Sequence, residues 1–191
     1  MTLLVTQMKN QDPLNPLDNA QITSQLAQLS TVSGIDKLNT TLEGLMGSYQ
    51  SSQSLQAANM IGHGVLVEGS GMHLSGGKAL FGVELSEPAD KVKITVRDAA
   101  GKSVHEIDLG ARDAGTVPLQ WDGVNDKGVA SAAGKYSFEV EATRGGQKVS
   151  GVTRLAFGDV VSVSTGPQGV KLNVPGVGNG SVNLSDIRQI L

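Results

Sequence analysis

Apolar residues follow two different rhythms along the chain. Between Ile22 and Tyr49 they recur at Ile22, Leu26, Leu29, Val32, Ile35, Leu38, Leu42, Leu45 and Tyr49, always three or four residues apart. Those steps average about 3.4, near the 3.5-residue repeat of a coiled-coil seam and far from the two-residue alternation of a strand. From residue 61 the period shortens. Phe81, Val83 and Leu85 alternate with other residues, as do Val92, Ile94 and Val96, then Tyr136, Phe138 and Val140. Further strand-like runs lie at 65–67, 104–109, 117–121, 149–157, 160–163, 170–174 and 181–184. Turn residues separate them at intervals of about 8–12 positions, which predicts a sandwich or barrel. Asp98–Gly101 and Arg144–Gln147 read as hairpin turns.

Glycine marks the same boundary. Residues 1–60 hold Gly34, Gly44 and Gly47, whereas 61–191 hold the other 22. In the first part, Leu3 to Lys9 could form two helical turns, which Pro13 and Pro16 then break. Asp18 or Asn19 is suited to cap the long helix that follows. The β region, roughly 130 residues, exceeds the about 100 that one seven-stranded sandwich needs. A second small all-β unit is therefore expected.

Charge sharpens the reading of the helix. Only Asp36, Lys37 and Glu43 are charged between residues 19 and 60. A solvated lone helix usually carries more ion pairs between neighbouring turns. Faces of Gln, Ser, Thr and Asn suit packing against other chains, so the apolar positions predict an intermolecular seam. Each of the three glycines weakens an isolated helix by about 1 kcal/mol relative to Ala. The segment is expected to be mobile in a free monomer and to order on assembly.

Composition mainly excludes. The chain has 191 residues, no Cys, 6 aromatic residues and a net charge of -3. There can be no disulfide, Cys-ligated metal or Cys nucleophile. There is no basic field for nucleic acid. No apolar run approaches the about 20 residues of a membrane span, and the N-terminus lacks the basic start of a cleaved signal peptide.

Candidate chemistry is thin. Asp122-Gly-Val-Asn-Asp126-Lys-Gly128 suggests a calcium loop, but the position that needs Glu is Ala133. A Gly/Asp/Asn loop between strands explains it better. Gly176–Gly180 resembles part of a phosphate loop, with no helix or Lys-Ser/Thr behind it. His63, His73 and His105 are scattered and fit surface or turn positions. Trp121, the single Trp, suits core or turn packing. No catalytic signature occurs.

Two stretches carry a resemblance. The run Gln11-Asp12-Pro13-Leu14-Asn15-Pro16, ahead of Gln25-Leu-Ala-Gln-Leu-Ser30, closely resembles the N-terminal signature of the flagellar hook-capping family. Trp121-Asp122-Gly123, Asp126, Gly128 and the Ala-Gly-Lys-Tyr136 strand resemble that family's immunoglobulin- or fibronectin-III-like domain.

The resemblance implies a mainly β fold with N-terminal α: long amphipathic helices over 1–60, then a fibronectin-III-like sandwich at 80–156. That sandwich would be inserted in a small Tudor-like barrel made of 61–79 and 157–191. It implies a non-enzymatic scaffold at the distal tip of the growing bacterial hook, guiding hook subunits into place. Its partners would be itself, as a pentameric cap, the hook protein, and the flagellar type III export apparatus. It implies no cofactor, metal, nucleic acid or membrane insertion, and secretion without a cleaved signal. Family members usually carry some tens of residues ahead of this region, a piece implicated in export. The eight positions from Ile22 to Leu45 would be the self-association helix. A rival reading is an extracellular sandwich that binds glycan or protein, tethered by the helix, though 6 aromatics leave little for a binding platform. A hydrolase using Asp122 or Asp126 lacks a paired base.

Overall fold

The computed structural model describes residues 16–166 and 169–191. The run Leu3–Lys9 and the signature residues from Gln11 to Asn15 lie outside the described residues. One helix, α1, spans Pro16–Ala58. Pro16 opens it instead of breaking it. Proline's missing N–H is harmless in the first turn, and its fixed φ already suits a helix. Asp18 and Asn19 therefore fall inside the first turn, not ahead of it. Hydroxyls along α1 bond back to the helix itself: Thr31 donates to Ala27 O, Thr40 to Asp36 O and Thr41 to Lys37 O. They need no outside partner.

The chain divides into two units, 1–49 and 50–191. In the second, the last turns of α1 are anchored. Ala57 and Met60 are buried, and Gly62, at φ 86°, turns the chain so that its N–H reaches Val160 O at 2.9 Å. Among the described residues thirteen strands follow: β1 (Gly64–Glu68), β2 (Gly71–Leu74), β3 (Ala79–Leu85), β4 (Ala89–Arg97), β5 (Ser103–Arg112), β6 (Gly115–Trp121), β7 (Gly134–Arg144), β8 (Gln147–Lys148), β9 (Val152–Asp159), β10 (Ser162–Gly166), β11 (Gly169–Asn173), β12 (Ser181–Asn183) and β13 (Ile187–Ile190).

They form three antiparallel sheets around two cores. One sheet runs β13-β1-β9-β3-β6, a second β2-β7-β4-β5 with β8 on β7, a third β10-β11-β12. The first core fills the sandwich with Phe81, Trp121, Phe138, Val92, Ile94 and Val96. Phe81 and Phe138 meet at 4.8 Å between ring centres. Strand β4 shows why: Val92, Ile94 and Val96 are buried, while Lys93, Thr95 and Arg97 between them are only partly so. The second core gathers Val65, Val67, Ala156, Val170, Leu172 and Val174. Strand β9 belongs to both, pairing Ala156 with Val67 of β1 and with Phe81 of β3. At the crossing, a Cβ on Gly82 would stand 2.9 Å from Leu66 Cδ1 and 3.2 Å from Val117 O, so the strand tolerates nothing larger there.

Several boundaries differ from the sequence pattern. The run 149–157 holds one strand, β9, which starts only at Val152, after Gly151, whose φ is 80°. The run 160–163 starts later, at Ser162, and 181–184 ends in a 3-10 turn, Leu184–Asp186. Strands β2 and β13 had no signal. Strand β2 pairs with β7, and its Met72 and Leu74 enter the sandwich core.

Candidate functional site

The helical unit presents its apolar side chains to solvent. Ile22, Leu26, Leu29, Val32, Ile35, Leu38, Leu42 and Leu45 are each 52–65% exposed. Monomers rarely leave so many large apolar residues uncovered on one element.

Their arrangement is not a single seam. At about 100° per residue, Leu26 and Leu29 project within about 40° of the Ile22 direction. Ile35, Leu38, Leu42 and Leu45 project within about 40° of the opposite direction, and Val32 lies between. An average step of about 3.4 falls short of a full 3.6-residue turn, and over eight steps the shortfall reaches about half a turn. Even the 3.5-residue turn of a supercoil leaves about 100° of drift. The polar face turns over as well. Asp36, Lys37 and Glu43 all project within about 60° of the Ile22 direction, opposite the second apolar group. A cylinder thus carries two short apolar patches on opposite sides, not the one stripe expected from spacing.

The sandwich turn is a structural clip. Trp121 is buried, and its Nε1 donates to Val124 O at 2.9 Å. Asp122 Oδ1 accepts from Val124 N at 3.0 Å. Asn125 Oδ1 accepts from Lys127 N and Val129 N. Asp126 Oδ1 accepts from Glu106 N at 3.2 Å and lies 2.8 Å from His105 Nδ1. Gly123 and Gly128, at φ 75° and 74°, supply the left-handed turns. Tyr136 closes the loop: its hydroxyl donates to Ala132 O at 2.7 Å and its ring packs edge-on against Trp121 at 5.1 Å. Each carboxylate accepts a bond from a backbone N–H through its Oδ1, an arrangement that holds a loop. His105 is fixed by Asp126 and lies over Trp121 at 6.2 Å; the sequence did not foresee that pairing, which needs the β5 strand beside the loop.

The outward face of β4, β5 and β7 is a lattice of exposed ion pairs. Lys93 Nζ meets Glu106 at 2.8 Å and Arg97 meets Glu139 at 2.8 Å. Lys91 lies 3.6 Å from Asp108. The Glu106 bond raises the Lys93 pKa, and Glu139 raises that of Arg97. The Gly110 N–H, then Lys91, holds Asp108 below its ordinary value; Arg97 does the same for Glu139. Among the described residues no group of three or more His, Asp or Glu could hold a metal ion, and no helix is long and apolar enough to cross a membrane. Open grooves dent the β unit. One, about 570 Å³, is mainly polar and lined by Glu68, Arg154, Asp186 and Arg188. Another, about 590 Å³, is apolar and lined by Met60, Leu184, Ile187 and Ile190.

The two halves match known families separately. Residues 1–44 match the model of the flagellar hook capping protein N-terminal region, and residues 69–146 match that of the FlgD Ig-like domain. The whole chain aligns with the basal-body rod modification protein FlgD of Escherichia coli at 43% identity over 199 residues, covering 85% of that protein. The chain belongs to the flagellar hook-capping family. The FlgD of Salmonella typhimurium is 42% identical over the same span, covering 84% of its length. The crystal structure of FlgD from Xanthomonas campestris, described with the hook capping essential for flagellar assembly, superposes with a TM-score of 0.60 at 30% identity. That overlap takes in 73% of this chain and 99% of the other. The hook-capping Ig-like match starts at Gly69, so it takes in β2, as does the sandwich core.

Proposed function

We propose that this chain is a non-enzymatic scaffold of flagellar hook assembly, working in the cap at the distal tip of the growing hook. The observation that carries the proposal is a full-length match to hook-capping relatives in a chain whose helix leaves eight large apolar residues uncovered. A cap holds itself together while it makes and breaks contacts with each arriving subunit. Apolar helix patches suit the first task; a polar, ion-paired sandwich face suits the second, since transient contacts are small.

The finer parts of the proposal follow the same logic. The cap is a homo-oligomer, a pentamer, that contacts hook protein and reaches the tip through the flagellar type III export channel. Residues 1–60 form the assembly region. The sandwich of 69–146 interrupts a small Tudor-like barrel built around the second core, from β1 and the strands after β9. The carboxylates of the Trp121 turn have structural partners: Asp122 accepts from Val124 N within the loop, and Asp126 accepts from Glu106 N of β5.

Deleting the gene and supplying it in trans tests the function. Cells without it should secrete hook protein that stays unpolymerised, and the gene should restore hooks. Hooks of normal length and number in the deletion strain would overturn the proposal.

A further inference from the structure

Because the pitch of an α-helix sets the two apolar patches of α1 on opposite sides, one neighbouring helix packed along a single face cannot cover both. We propose that α1 is a two-sided connector, in which the Ile22, Leu26, Leu29 patch of one copy docks on the Ile35, Leu38, Leu42, Leu45 patch of the next. This rests on the self-association proposed above and says how it is wired.

The occupant is a second copy for three reasons. All of these residues are more than half exposed, so the described residues leave both patches open. The three charges of the segment, Asp36, Lys37 and Glu43, lie on the side away from the second patch and beyond the end of the first. Neither patch is therefore bordered by a field that would select a charged partner. Each patch spans only two or three turns, too little for a stable contact alone, whereas a repeated contact adds one interface per copy.

Docking the first patch on the second repeats a single operation, so a ring of any number of copies can close. Pairing each patch with its own kind would close only even-numbered rings. The patch centres lie about 21 Å apart along the axis, at about 1.5 Å per residue. Neighbouring helices that join first patch to second are offset by that length. A closed ring absorbs such an offset only when its helices incline steeply to the ring axis.

Two full-length variants test the wiring by sedimentation mass: Leu26→Asp/Leu29→Asp, and Leu38→Asp/Leu42→Asp. The near-ultraviolet signal of Trp121 reports that the sandwich stays folded in both. Concentrated wild-type protein should exceed the mass of a dimer. Each variant alone should be monomeric. An equimolar mixture should double in mass and go no further, since one intact first patch then meets one intact second patch. A variant that dimerises alone, or keeps the wild-type mass, overturns the wiring while self-association stands. A wild-type chain that stays monomeric at every concentration overturns self-association itself.

Discussion

The indole of Trp121 is buried in the sandwich core, yet its one N–H is satisfied by Val124 three residues on. That bond, the Asp122 and Asn125 turns and the Tyr136 hydroxyl make the loop over 122–136 a rigid cover for the core. Tyr136→Phe removes a bond to Ala132 O of 2.7 Å and leaves that carbonyl without this donor. Losing one neutral hydrogen bond costs about 1 kcal/mol, a fall in melting temperature of about 2–4 °C for a chain of this size. Gly123→Ala should cost more. Its φ of 75° disfavours a side chain, and the new Cβ would stand 2.9 Å from Leu74 Cδ1. Strain of that kind amounts to about 1–3 kcal/mol. Thermal unfolding followed by near-ultraviolet circular dichroism checks both; a Gly123→Ala melting temperature equal to wild type would contradict the close packing of β2 against the turn.

At the scale of elements, the ion-paired face of β4, β5 and β7 contributes to the acid sensitivity of the sandwich. Asp108 and Glu139 have folded pKa values below their ordinary 3.8 and 4.5. A depressed carboxylate contributes stability at pH above its ordinary value and loses it as pH falls through the folded value. The sandwich should therefore melt progressively lower below about pH 4.5. Lys93, with its raised pKa, keeps its contribution up to its ordinary 10.5, so it adds nothing to the acid slope. In Asp108→Asn/Glu139→Gln the acid slope should flatten; an unchanged slope would place the sensitivity elsewhere.

The long helix is the element whose behaviour depends most on its surroundings. Thr31, Thr40, Thr41 and Ser54 bond back to the helix, but Gly34, Gly44 and Gly47 weaken it, and among the described residues its apolar side chains stay more than half exposed. Amide exchange across 22–49 should be fast in a monomer and slow in the assembly. Strong protection in a monomer would show that α1 is stable alone.

The same elements show what the sequence could reveal. Strand β4 was legible because Val92, Ile94 and Val96 are buried against polar neighbours, the simplest expression of the pleat. Strand β2 was not, because only Met72 and Leu74 of its four residues face inward and its partner β7 lies more than sixty residues away. Pro16 looked like a break because proline punctuates helices, yet the first turn is where it does no harm. The apolar positions of α1 were all legible, but their division into two faces was not. Steps of three and four look alike in a sequence; their rotation accumulates only along a helix of defined pitch.

For the whole molecule, the absence of Cys, the few aromatics and the sparse charge now have a place in the proposed function. A chain exported unfolded through a narrow channel gains from having no thiol to cross-link and few aromatic residues to stick. A scaffold that is later displaced gains from an assembly surface built of small apolar patches. In that proposal the lasting contacts lie in α1, and the β unit, with its two cores and ion-paired face, meets the hook subunits.

The most direct test is electron microscopy of hooks on cells whose only copy of the gene carries Leu29→Asp/Ile35→Asp, one change in each apolar patch. The variant should be made and exported, its sandwich folded, and its cells bare of hooks, with hook protein loose in the medium. Normal hooks on those cells would contradict the assignment of α1 as the surface that holds the cap together.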